Sequence, residues 1–458
     1  MKYLSKYLAV TLVITIIVSF GLQGCGRKSE SNDGVVRLSV WVSYNNEEMP
    51  IFNELTKKFV AKWNSEHDQQ IAIKPSQVPF GGLLPKLKTA CQTHTTPDIC
   101  RVDCAHVVPL AFGQALVPLD TLKPFKDKFR SIEQLRSLFV EAAIDSNIIN
   151  VRREGKWVEH LFGLPDRTNC VCLFRNRSMF REKASELRAV GLSPDRAPKT
   201  WDEMIEYGKV LADKGEYAFA MDNSLWWSLP FFNSWGADFL NIEKGHFTCV
   251  LDREEAIEAL QFKADLYQKK YDFGGRKVQV EAGAWRPGAI SKDTGFINGM
   301  YAMIMTGPWN VKTFRDAGLD FDVNLVPAGP AGSSSNVGGS NLVVFKSCKH
   351  PEIAYEYIKF VTNAESQTQW CNALSQIPTI LAAFKTVSTE GKPALAAFFD
   401  QIVKAKARPR VPNYDQLEEI INPEMALALK GNKTPKQALS DAVKRINKEV
   451  LAQINKAK

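Results

Sequence analysis

The sequence predicts an α/β fold, because stretches with strand periodicity alternate with stretches of helical periodicity. The first strand has apolar residues at every second position, namely Val36, Leu38, Val40 and Val42. Large apolar residues then recur at helical spacing, namely Phe52, Leu55, Phe59 and Trp63. The alternation continues with Ile71–Val78 (strand), Leu83–Cys91 (helix), Asp98–Val102 (strand) and Val107–Gly113 (helix). We therefore expect a mainly parallel sheet with helices on its flanks.

A second group of elements follows Gly163-Leu164-Pro165, beginning with a strand at Val171–Phe174. Thr200 and Glu203 are spaced as a capping box and predict the start of a helix. Further helices are predicted at Glu254–Tyr267, at Pro351–Thr362 and from Pro435 onwards.

The first 25 residues have the pattern of a bacterial lipoprotein signal. Lys2 and Lys6 precede an apolar run, Leu8–Phe20, and Leu22-Gln23-Gly24-Cys25 places a cysteine directly after a small residue. The run is shorter than the roughly 20 residues that span a bilayer. We predict that residues 1–24 are removed and that Cys25 is lipidated. Residues 25–34 would then form a tether on the periplasmic or extracytoplasmic face of the membrane.

Composition limits the remaining function classes. The net charge of +8 is spread along the chain and forms no basic cluster, which argues against nucleic-acid binding. Eight cysteines follow Cys25, and their spacing does not reveal any disulfide pairing: Cys91, Cys100, Cys104, Cys170, Cys172, Cys249, Cys348 and Cys371. None of these spacings matches a zinc motif, so no metal is expected. Cys170 and Cys172 fall on one face of a strand and are interpreted as small buried apolar residues. No cofactor motif is present.

A series of short motifs resembles one protein family in order and spacing. The motifs are 97–99, 115–120, 163–165, 174–176, 199–203, 296–303, 307–309, 338–344, 349–354, 360–362, 407–410 and 412–414. Each is weak alone, but together they cover essentially the whole mature chain. The sequence resembles the bacterial extracellular solute-binding proteins of the maltose-binding-protein type, which serve sugar ABC transporters.

The resemblance implies a two-lobed, periplasmic-binding-protein-like fold of type II. Hinge crossings are expected near Asp166–Asn169, Ala328–Gly332 and Leu374–Pro378. The first lobe would comprise residues 35–167 plus 333–376, and the second residues 168–332 plus 377–458. The Gly- and Ser-rich stretch 329–335 lacks the Gly-Lys-Ser/Thr ending of a phosphate loop, so it is interpreted as part of the hinge.

The resemblance also implies function. We expect a monomeric receptor, without enzymatic activity, that binds a mono- or oligosaccharide between its lobes and delivers it to an ABC permease. A receptor of the same fold for a non-sugar or phosphorylated ligand, such as glycerol phosphate, is the first alternative. A secreted carbohydrate-active enzyme is the second, although no catalytic motif appears.

Tryptophans are the first candidates for sugar contact, since flat aromatic rings match the C–H faces of a pyranose. Trp309 matches the family's Gly-Pro-Trp position, where an aromatic ring stacks on sugar. Trp226 and Trp227 are adjacent, and an extended segment would turn one of them into the core, so Trp227 is preferred for the cleft. Trp41 and Trp63 are interpreted as structural.

Polar contacts are expected in loops that follow strands, where ligands of open α/β sheets bind. The candidates, matched by position, are Ser43, Tyr44, Asn45, Phe80, Asp103, Arg167, Asn169, Ser340 and Tyr414, with the insertion residues Trp285 and Arg286. The carboxylate of Asp103 has oxygens enough to accept from two adjacent sugar hydroxyls.

Overall fold

The computed structural model describes residues 34–153, 155–213, 215–243 and 246–456. The predicted signal segment and Cys25 lie outside the described residues. Within these ranges no helix is both long enough and apolar enough to cross a membrane.

The strands of the described chain fall into two principal sheets and three small hairpins. They are β1 Val36–Val42, β2 Ile71–Gln77, β3 Ile99–Asp103, β4 Ile148–Arg153, β5 Lys156–Leu161, β6 Gly163–Cys170, β7 Cys172–Asn176, β8 Tyr217–Ala220, β9 Leu240–Glu243, β10 His246–Cys249, β11 Lys270–Phe273, β12 Arg276–Gln279, β13 Tyr301–Thr306, β14 Phe321–Asn324, β15 Ser335–Val344 and β16 Ala405–Lys406.

The first sheet has the order β16-β15-β3-β1-β2, with β6 also paired to β15. β1 runs parallel to β2 and β3, whereas β15 runs antiparallel to β3 and β6. The second sheet has the order β14-β7-β13-β8, in which only β13 and β8 are parallel. The hairpins are β4–β5, β9–β10 and β11–β12. Parallel neighbours are therefore fewer than the sequence predicts, because β15 and β16 run opposite to the other strands of the first sheet and β7 runs opposite to the other strands of the second.

Helices flank both sheets. They are α1 Glu48–Glu66, α2 Phe80–Thr93, α3 Cys104–Phe112, α4 Lys123–Lys128, α5 Ile132–Arg136, α6 Glu141–Asp145, α7 Arg177–Glu182, α8 Ala184–Ala189, α9 Trp201–Leu211, α10 Leu225–Ser234, α11 Glu254–Gln268, α12 Lys292–Ile297, α13 Val311–Asp316, α14 Pro351–Val361, α15 Ala364–Leu374, α16 Pro393–Ile402, α17 Tyr414–Leu429, α18 Pro435–Arg445 and α19 Ala452–Lys456. Short 3-10 turns occupy Leu119–Thr121, Pro308–Asn310 and Leu381–Lys385, and a π turn occupies Ile446–Leu451.

Each sheet forms the centre of one lobe, and the chain crosses from one lobe to the other more than once. The chain leaves the first sheet at the end of β6 and enters the second at β7, with only Val171 between them. It returns between β14 and β15. After α15, residues Ile377–Leu381 still bond to first-lobe segments, since Val140 N donates to Thr379 O at 2.8 Å. The loops that follow β1 and β3 in the first lobe, and β8 and β13 in the second, carry polar and aromatic side chains.

Most predicted elements are confirmed within one to three residues. The alternating apolar side chains of β1 are buried, as are Phe52, Leu55 and Phe59 of α1. The predicted capping box is only half correct. Thr200 Oγ1 accepts from Glu203 N at 3.1 Å, but the Glu203 carboxylate accepts from Lys199 N and pairs with Arg196 instead of reaching Thr200 N. Arg196 competes successfully because its guanidinium bonds to both carboxylate oxygens.

Cys170 and Cys172 are buried, as the sequence predicts. All eight cysteines of the described ranges are free thiols. Burial raises the pKa of most of them, including Cys104 and Cys249 to about 12. They therefore act as apolar packing residues rather than as reactive groups.

Candidate ligand-binding site

Three tryptophans meet at the carboxyl ends of β8 and β13. Trp226 and Trp227 lie in the first turn of α10, after β8, and Trp309 lies in the 3-10 turn after β13. The ring of Trp309 is 6.0 Å from that of Trp226 and 6.4 Å from that of Trp227, between centroids. Because β8 and β13 are parallel neighbours, their carboxyl ends bring these loops together. Trp309 is 40% exposed and presents the largest open aromatic surface of the cluster.

The condition under which one of Trp226 and Trp227 was expected in the core is not met, because the segment is helical rather than extended. Both rings are half-buried and meet edge to face at 4.6 Å. The helix begins here because Ser224 Oγ accepts from Trp227 N, at 3.4 Å. Side chains of α17 accept from the two preceding amides: Asn422 Oδ1 from Leu225 N and Glu418 Oε1 from Trp226 N. These hydrogen bonds fix the position of the helical turn that carries Trp226 and Trp227.

A lysine and two aspartates border the cluster. Lys292 Nζ lies 4.2 Å from the ring centroid of Trp227, and it pairs with Asp222 at 3.2 Å and with Asp293 at 3.0 Å. The lysine is buried, whereas Asp222 remains partly exposed. One face of Trp227 is thus covered by a cation, and a carboxylate lies beside it.

Polar side chains around Asp103, at the carboxyl-terminal edge of the first sheet, lie on the side of the tryptophan cluster. Asp103, at the end of β3, accepts from Ala105 N at 2.8 Å and from Arg408 Nη2 at 3.4 Å. Arg408 also packs 5.9 Å from the ring centroid of Tyr414. Burial raises the pKa of Tyr414, and burial likewise raises that of Glu418 on the same helix. Asp103 thus contacts Arg408, which packs on α17, the helix whose Glu418 accepts from Trp226 N.

Several predicted residues lie in a different cluster, on the hinge side of the first lobe. Tyr44 is buried, and its hydroxyl donates to Asp166 Oδ2 at 2.6 Å. Burial and the Asp166 carboxylate raise the pKa of Tyr44. Arg101 also pairs with Asp166 at 2.7 Å and donates to Ser43 Oγ at 3.1 Å. The geometry gives no support to a ligand contact by Tyr44, whose hydroxyl is committed inside the lobe.

The remaining first-lobe residues serve local contacts in this structure. Asn45 Oδ1 accepts from the amides of Glu47 and Glu48, which starts α1. Arg167 donates to Glu48 Oε1 at 2.8 Å. Burial acts to raise the pKa of Glu48, but the positive charge of Arg167 helps to lower it, and the net shift is downward. Ser340 is buried, opposite Asp103 on one side of β15 and Arg167 on the other.

Phe80, Asn169 and the insertion residues lie apart from one another. Phe80 begins α2 and is 63% exposed. Asn169 is half-buried against Gly338. Trp285 packs edge to face on Tyr267 at 5.2 Å, and the exposed Arg286 also lies over that ring.

Sequence reasoning missed four residues of the site: Asp222, Lys292, Arg408 and Glu418. Arg408 lies within the family motif 407–410, and that position was an available signal. Asp222 lies two residues after the end of β8, in a loop where polar ligand contacts are expected. Nothing local marks Lys292 or Glu418. Among the residues that the structure covers, no group of three or more potential metal ligands is found.

Comparison with known proteins gives consistent matches. A sequence model described as bacterial extracellular solute-binding protein matches residues 58–397. The galactooligosaccharide-binding protein of Bacillus subtilis (strain 168) is 23% identical over 446 residues, covering 95% of each chain. The sn-glycerol-3-phosphate-binding periplasmic protein UgpB of Pectobacterium atrosepticum is 22% identical, covering 94% of each chain.

A solved structure extends the match to the fold. The crystal structure of the cyclic alpha-maltosyl-1,6-maltose binding protein from Arthrobacter globiformis aligns with a TM-score of 0.74 at 21% identity. The alignment covers 93% of this chain and 100% of that one. The predicted two-lobed fold is confirmed.

Proposed function

Because the chain belongs to the bacterial extracellular solute-binding proteins, we propose that it is the receptor of an ABC importer and that it binds a neutral carbohydrate between its lobes. The receptor presents the bound sugar to the permease and catalyses no reaction. The observation that carries the proposal is the cluster of Trp226, Trp227 and Trp309, with its exposed indole and adjoining carboxylates. Flat apolar surfaces bordered by hydrogen-bond acceptors are what a pyranose ring requires.

The charges around the cluster favour a neutral ligand over a phosphorylated one. Lys292 is paired with Asp222 and Asp293, and Arg408 contacts Asp103. Each of these cations thus has a carboxylate partner, and a phosphate dianion would have to displace it. Hydroxyls, by contrast, would donate to the free lone pairs of Asp222 and Asp103. A neutral saccharide is therefore favoured over sn-glycerol 3-phosphate, the ligand in the name of one relative.

We also propose where the protein is located and which residues form each lobe. Lipidation of Cys25 holds the mature, monomeric protein on the extracytoplasmic face of the membrane, as the Leu22-Gln23-Gly24-Cys25 sequence predicts. Residues 35–167 plus 333–376 form the first lobe, and residues 168–332 plus 377–458 form the second. The passage from β6 to β7 and the return before β15 support the first two crossings.

Isothermal titration calorimetry tests the ligand class. We expect one or more neutral galacto- or malto-oligosaccharides to bind, and sn-glycerol 3-phosphate to bind far more weakly or not at all. Trp309→Ala should weaken saccharide binding, because it removes the exposed aromatic surface. Trp63→Ala, which removes a half-buried tryptophan stacked on His67 in the first lobe, is the matched control and should retain affinity. Tight binding of the phosphate without any saccharide binding would reverse the assignment.

A further inference from the structure

Helix α11 places a lysine in the interior of the second lobe. Lys263 is 1% exposed, which is rare for lysine unless its amino group is satisfied. Its Nζ donates to Asn223 Oδ1 at 2.9 Å, to Ser228 Oγ at 2.6 Å and to the main-chain oxygen of Asp222 at 3.3 Å. The three acceptors match the three donors of an ammonium group.

All three acceptors belong to one short segment, between the end of β8 and the first turn of α10. The segment carries Trp226 and Trp227. Ser228 Oγ also donates to Ser224 O at 2.7 Å, so the lysine and the helix cap are connected through one hydroxyl. Lys263 therefore ties the tryptophan-bearing turn to α11 from the interior.

Two further groups hold the same segment. Lys292 pairs with the Asp222 side chain while covering Trp227. Glu281, also buried, accepts from Met221 N at 3.3 Å and from Gly283 N at 2.9 Å. Burial lowers the pKa of Lys263, and the charge of Glu281 opposes that shift. The segment from Met221 to Ser228 is thus anchored by polar side chains from three separate parts of the lobe.

Packing alone does not call for a lysine at this position, since methionine has a similar length and no desolvation cost. We propose that Lys263 is a positioning residue of the ligand site, holding the β8–α10 turn so that Trp226 and Trp227 lie against Trp309. Loss of the amino group would leave three buried or half-buried acceptors without their donor, and the turn would relax toward other partners. The inference deepens the proposed function, on which it rests, because it concerns the same site.

The test compares Lys263→Met with Gln268→Ala. Gln268 lies on the same helix and donates to Ala428 O and Leu429 O, away from the turn, so its loss is a matched control for weakened packing of α11. Near-UV circular dichroism of the ligand-free proteins reports the tryptophan environment, and calorimetry reports saccharide affinity. We expect Lys263→Met to change the tryptophan spectrum and to weaken affinity about tenfold, whereas Gln268→Ala changes neither.

Ser228→Ala provides a milder second variant, since it removes one acceptor and keeps the lysine. If Lys263→Met fails to fold, an altered spectrum and reduced affinity in Ser228→Ala support the proposal, and wild-type values for both overturn it. A folded Lys263→Met protein with the wild-type spectrum and affinity also overturns it. If the wild type binds no saccharide while the spectrum still changes in Lys263→Met, the proposed function fails but the positioning role stands.

Discussion

At the scale of single residues, Gly307 explains how the exposed tryptophan is held. A β-carbon on Gly307 would lie 2.0 Å from Cζ3 of Trp309, well inside van der Waals contact. The indole therefore rests on the glycine backbone, and Pro308 fixes the turn between them. The Gly-Pro-Trp sequence is thus a physical unit, in which glycine provides the space that the tryptophan ring occupies.

Gly307→Ala should displace the Trp309 ring while leaving the lobe folded. We expect saccharide affinity to fall about tenfold, with the thermal midpoint changing little, because the collision is with a partly exposed side chain that has room to move. Gly82→Ala is the control, since a β-carbon there meets nothing within 4 Å. Unchanged affinity in Gly307→Ala would mean that the ring position seen here is not the one that binds sugar.

At the scale of elements, local patterns predict most strands and helices but not their partners. The apolar alternation of β1 and the helical stripe of α1 are set by neighbouring residues, and both are confirmed. The bond from Tyr44 to Asp166 joins residues 122 positions apart. No local pattern predicts it, so Tyr44 was expected at the ligand. Trp226 and Trp227 were misjudged for a different reason, because the capping signal at Ser224 was not recognised.

Lys263 was also missed, because a lysine on a helix normally faces water. Among the buried residues of α11, which are Ala256, Ala259, Leu260, Lys263, Ala264 and Leu266, the lysine is the one charged side chain. Of the candidate site, the sequence therefore predicts Trp309, Asp103 and the location at the ends of strands. Its ion pairs could not, because they depend on tertiary contacts.

The Lys263 and Glu281 groups should shape the pH dependence of stability. Burial raises the pKa of Glu281 to about 7 and lowers that of Lys263 to about 7. Below pH 7 the folded Glu281 holds a proton that the unfolded chain has released, so stability falls as the pH rises to 7. Above pH 7 the unfolded Lys263 holds a proton that the folded chain has released, so stability rises again.

The contribution of this pair should therefore be smallest near pH 7. Urea midpoints measured at about pH 5, 7 and 9 for the wild type and for the double variant Lys263→Met/Glu281→Leu test this. Relative to that of the double variant, the urea midpoint of the wild type should be lowest at about pH 7. A difference that is independent of pH would show that neither group changes its pKa on folding.

At the scale of the whole molecule, two sheets are joined by short connections, and polar side chains link them near the strand ends. Arg410 Nη1, on the segment before α17, donates to Asp145 O and to Ile148 O of the first lobe. Arg408 bonds to Asp103 in the same region. We expect the short chain connections between the sheets to let one lobe rotate relative to the other, so that a ligand that contacts both lobes would stabilise a closed arrangement.

Attachment to the membrane is a separate prediction at this scale. Cys25→Ser should release the exported protein from the membrane fraction, since stable anchoring by lipid generally needs more than one acyl chain and this cysteine would carry them. Metabolic labelling with a fatty-acid analogue should mark the wild type and not the variant. An unlabelled wild type would refute the lipoprotein assignment without affecting the ligand site.

Small-angle X-ray scattering with and without a saturating neutral oligosaccharide tests the central claim most directly. We expect the radius of gyration to fall on addition of the sugar, Trp309→Ala to abolish this change at the same sugar concentration, and the sugar to be recovered unaltered. No compaction of the wild type with bound sugar would contradict closure of the two lobes around the ligand, and conversion of the sugar to a product would contradict a transport receptor.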